Sequence, residues 1–140
     1  MSGEITEADV QRVNWVAITF AAMGGIGHGY VAHLIVENAV LTVLVAVAVG
    51  VGLYLFVPYA LWMASLPDQA PAELVPQPGV LHRGATGLSL LVASIVVLSA
   101  GMVVESTAVP ILFGVVCGAV LLFVLSYALD RPADVADAAT

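Results

Sequence analysis

Four apolar stretches, 13–36, 39–64, 84–104 and 108–129, contain no Asp, Glu, Lys or Arg. Each has the roughly 20 residues that an α-helix needs to cross about 30 Å of hydrocarbon. A spanning segment finds no water for its backbone groups, so it must satisfy them internally as a helix. The predicted fold is therefore an all-α integral membrane protein, with four transmembrane helices arranged as two antiparallel hairpins. A soluble domain of 140 residues has nowhere to hide a chain that is 61% hydrophobic, against about 45–50% in ordinary soluble domains.

The segments between the spans are short and polar. Residues 1–12 form an N-terminal tail, and residues 130–140 form an acidic C-terminal one. Residues 65–83 form a linker holding Pro67, Pro71, Pro76 and Pro78 with Asp68 and Glu73. That composition predicts a hydrated, extended and partly polyproline-like segment. The other connections are tight: Glu37 with Asn38, and Glu105 with Ser106 and Thr107. Tight connections make antiparallel neighbours. Asn38 is suited to cap the second helix, and Pro110 falls within the first turn of the last one. Thr6 and Asp9 have the spacing of a capping box, which starts the first helix near Glu7. Arg131 suits the negative end of the last helix and Pro132 stops it.

The cations orient the chain. With four spans, Arg12, Arg83 and Arg131 share one aqueous side, while the turns on the other side carry Glu37 and Glu105. The positive-inside rule assigns the arginine side to the cytoplasm, so both termini are expected there, in a multi-pass protein of the cell membrane. Trp15, Tyr59, Trp62 and Tyr127 cluster toward the same side, as interfacial aromatics do. The net charge is −7 and lysine is absent, so there is no electrostatic footprint for nucleic acid. This acidic, lysine-free composition resembles that of salt-loving archaea. Cys117 is the sole cysteine, which rules out an internal disulfide.

In lipid, helices associate through close packing of small residues. Ala17, Ala21, Gly25 and Gly29 recur every four residues on the first helix, and Gly114 and Gly118 do so on the last. These stripes are predicted to pack helices within the chain, with a homo-oligomer or a membrane-protein partner as the other use. Pro58 removes a hydrogen bond to the Tyr54 carbonyl and is predicted to kink the second helix.

Polar groups within a span are candidate functional sites because lipid makes them costly. His28, in the run Gly24-Gly25-Ile26-Gly27-His28-Gly29, is the first. The second is an outer rim of His33, Glu37 and Glu105, where an imidazole and two carboxylates could hold a cation or pass protons. His33 and Glu37 are four residues apart, which on a continuous helix puts them on one face. No resident cofactor is expected. Haem would need a pair of His28 residues across a dimer or a partner protein, since His82 lies at the cytoplasmic end and His33 is rotated about 140° around the same helix. No serine has a recognisable histidine and acid alongside it, so no enzyme activity is expected. The first function class is a non-catalytic accessory or assembly subunit of a membrane complex. A proton or cation transporter or channel component is the alternative, and a haem-binding electron carrier is the third.

Overall fold

The computed structural model describes residues 7–65 and 82–129. They form α1 (Glu7–Val36), α2 (Ala39–Ser65), α3 (Arg83–Gly101) and α4 (Ala108–Ala128). Each helix is long and apolar enough to cross a membrane. The tails at 1–6 and 130–140, with Thr6, Arg131 and Pro132, and the linker residues 66–81 lie outside the described residues.

Local chemistry accounts for several helix ends. The Asn38 side-chain oxygen accepts from the Val40 and Leu41 amides at 3.0 and 3.2 Å, satisfying two donors that the first turn of α2 leaves open. Its amide nitrogen donates to the Thr107 hydroxyl at 2.8 Å, which ties the two short connections together. Ahead of Asn38, Glu37 adopts φ 48°, a left-handed conformation that costs a residue with a Cβ about 1–2 kcal/mol. The apolar run of the third span continues to Val104, but α3 stops at Gly101. There the Val103 and Val104 amides both turn back to the Ala100 carbonyl. Pro58 lies inside α2, which continues beyond it to Ser65.

The helices pack in chain order as an open row: α1 on α2, α2 on α3, and α3 on α4, with slight contact between α1 and α3. Small residues set each approach. A Cβ on Gly25 would stand 2.9 Å from the Ala46 carbonyl oxygen, and one on Gly29 would stand 2.8 Å from the Ala46 Cβ. Ala17 is fully buried, and the Ala21 carbonyl faces Gly50. At the next interface Gly52 and Gly87 meet backbone to backbone. At the third, Gly114 lies against Val97 and Gly118 against Ala93.

Among the described residues the buried apolar side chains are mostly small, Ala17, Ala32, Val45, Val49 and Ala85, with Leu41 the larger exception. The large ones point outward: Met23 is 71% exposed, Leu112 64% and Phe123 67%. A water-soluble monomer rarely leaves so much contiguous apolar surface uncovered. The distribution is the one expected where lipid is the surrounding solvent.

Candidate functional site

His28 sits on α1 with its side chain exposed. Its Nδ1 lies 2.9 Å from the Gly24 carbonyl oxygen, which can only accept, so Nδ1 carries the proton. In the neutral ring this leaves Nε2 with a lone pair and no partner from its own helix turn. Histidines that bind metals characteristically donate the other ring N–H to a backbone carbonyl in this way. Among the neighbouring glycines, Gly24, Gly25 and Gly29 lie against α2, whereas a Cβ on Gly27 would meet nothing within 4 Å. Gly27 therefore plays no part in packing the helices within the chain.

The outer rim is arranged differently from its sequence expectation. His33, Glu37 and Glu105 are all exposed, the first in the last turn of α1 and the others in the two connections. The expected shared face for His33 and Glu37 requires a helix through both, but α1 ends at Val36 and Glu37 turns left-handed. Among the described residues, no three His, Cys, Asp or Glu side chains gather as a metal ion would require. What joins the two connections is the neutral Asn38–Thr107 bond.

The stripe residues Ala17, Ala21, Gly25, Gly29, Gly114 and Gly118 lie at contacts within the chain, as described above. Cys117 is half-buried with a free thiol.

Two features have no counterpart in the sequence reading. His82 caps α3: its Nδ1 accepts from the Ala85 amide at 3.2 Å, so its Nε2–H donates to the Leu129 carbonyl at 3.3 Å. The Tyr59 ring lies 5.4 Å from the imidazole, centroid to centroid. One histidine thus holds the start of α3, the end of α4 and the latter half of α2 together. Histidine is not among the preferred capping residues, so the sequence carries no signal for this role. The second feature is an apolar groove of about 350 Å³ bounded by α2, α3 and α4.

No protein-family model, curated protein or solved structure matches the chain.

Proposed function

We propose that the chain crosses the cell membrane four times as two antiparallel hairpins with both termini in the cytoplasm. In this reading it is a non-catalytic accessory or assembly subunit of a larger membrane complex. The observation that carries the reading is the open row. α1 and α4 each pack substantially on one neighbour, so their outer faces present large apolar side chains: Phe20, Met23 and Ile26 on α1, and Leu112, Phe123 and Tyr127 on α4. Such faces suit lipid or the helices of a partner, and the polar segments between spans are too short to form a domain of their own.

The orientation rests on Arg12, Arg83 and Arg131 sharing one side, with Glu37 and Glu105 on the other. Transport has less support, since from Val43 to Leu53 the second helix is entirely aliphatic or glycine and offers no polar path.

The haem-carrier reading is favoured by one observation, the Nδ1–H bond of His28 to Gly24, which leaves Nε2 available to an iron. A single purification separates the readings. Extracted from native membranes in mild detergent, the protein is expected to emerge colourless and in a stable complex with other subunits. A Soret band that disappears in His28→Ala would replace that reading with the electron carrier. A lone chain whose proteoliposomes carry a cation flux abolished by Glu37→Gln would replace it with a transporter.

A further inference from the structure

The groove between α2, α3 and α4 is apolar and open along one side. Its lining includes Ala48, Ser89, Ala93, Ser94 and Ala119. Both serine hydroxyls turn away into their own helix, donating to the Thr86 and Leu91 carbonyls at 2.9 and 2.7 Å. The wall is therefore apolar in practice. Along α3 the groove extends from Thr86 to Val97, about 16 Å at 1.5 Å per residue, or one leaflet of a hydrocarbon core about 30 Å thick.

The groove has a polar end. Thr86 is 9% exposed, lines the groove, and its hydroxyl is buried without a hydrogen-bond partner among the described residues. One turn earlier on the same face of α3 is Arg83, which is exposed. A cation and then an apolar slot one leaflet deep follow each other along a single helix face.

We propose that this face binds one anionic phospholipid, with the phosphate at Arg83 and one chain lying in the groove toward Val97. Charge complementarity selects the headgroup, and the apolar wall, one leaflet long, takes a hydrocarbon chain.

The test uses the full-length protein, delipidated in detergent and followed by native mass spectrometry. It is titrated with phosphatidylglycerol and with phosphatidylcholine of identical chains. One phosphatidylglycerol is expected to bind per protein at about a tenth of the phosphatidylcholine concentration needed, as a charge-assisted contact implies. Arg83→Gln is expected to bring the two lipids to equal, weak binding. Ala119→Phe, which fills the slot from an exposed position, is expected to weaken both about tenfold. Equal retention of both lipids by the unaltered protein would overturn the proposal. So would undiminished phosphatidylglycerol binding in Arg83→Gln, a surface change that leaves the helix contacts intact. A dimer that takes up no lipid would also overturn it, by assigning the groove to a second copy.

Discussion

Gly87→Ala is expected to destabilise the protein by about 1–3 kcal/mol, although it adds a single methyl group and improves helix propensity. The added Cβ would stand 2.7 Å from both the Gly52 carbonyl oxygen and the Phe56 amide nitrogen. Both obstacles are backbone, so no side chain can rotate away to make room. α2 and α3 must move apart, and a row of helices held by successive pairwise contacts has no second interface to hold them. Gly27→Ala is the matched control. Its Cβ meets nothing within 4 Å, so only the propensity gain of about 0.5–1 kcal/mol remains. Denaturation in mixed micelles followed by circular dichroism compares the two. Equal shifts in the midpoint would show that the close contact at Gly52 does not hold α2 to α3.

Asn38→Ala is expected to cost about 1–3 kcal/mol by the same measurement, because one side chain serves two structures. Its oxygen caps α2 through Val40 and Leu41, and its nitrogen reaches Thr107 across 69 positions of sequence. Thr107→Val removes only the second interaction and is expected to cost about 0.5–1.5 kcal/mol. Adding Thr107→Val to Asn38→Ala should then cost little more, since the bond is already gone. Strictly additive losses would mean that the connections are not clasped to each other.

These residues show what a reader of the sequence could and could not see. The helices were legible because uncharged apolar runs of spanning length admit few other structures. Asn38 was legible because an amide directly before an apolar run is a capping signal with a mechanism. The Gly25/Gly29 and Gly114/Gly118 stripes stood out through four-residue spacing. Gly87 did not, since its importance comes from Gly52 on another helix rather than from a repeat on its own. The end of α3 at Gly101 escaped notice because hydropathy continues to Val104 while the backbone already turns. The four-residue spacing of His33 and Glu37 does not put them on one face because Glu37 itself is left-handed in the structure. His82 and the groove needed the packing of three helices to become visible at all.

Four lipid crossings underlie both the proposed role and the lipid site. Reporter tags at Met1 and Thr140, with a third inserted between Glu37 and Asn38, test them in intact and opened cells. Both terminal tags are expected to stay shielded until the cytoplasm is opened, while the inserted tag is reached from outside. Terminal tags reached from opposite faces would mean an odd number of crossings and would contradict the architecture on which the function and the lipid site both depend.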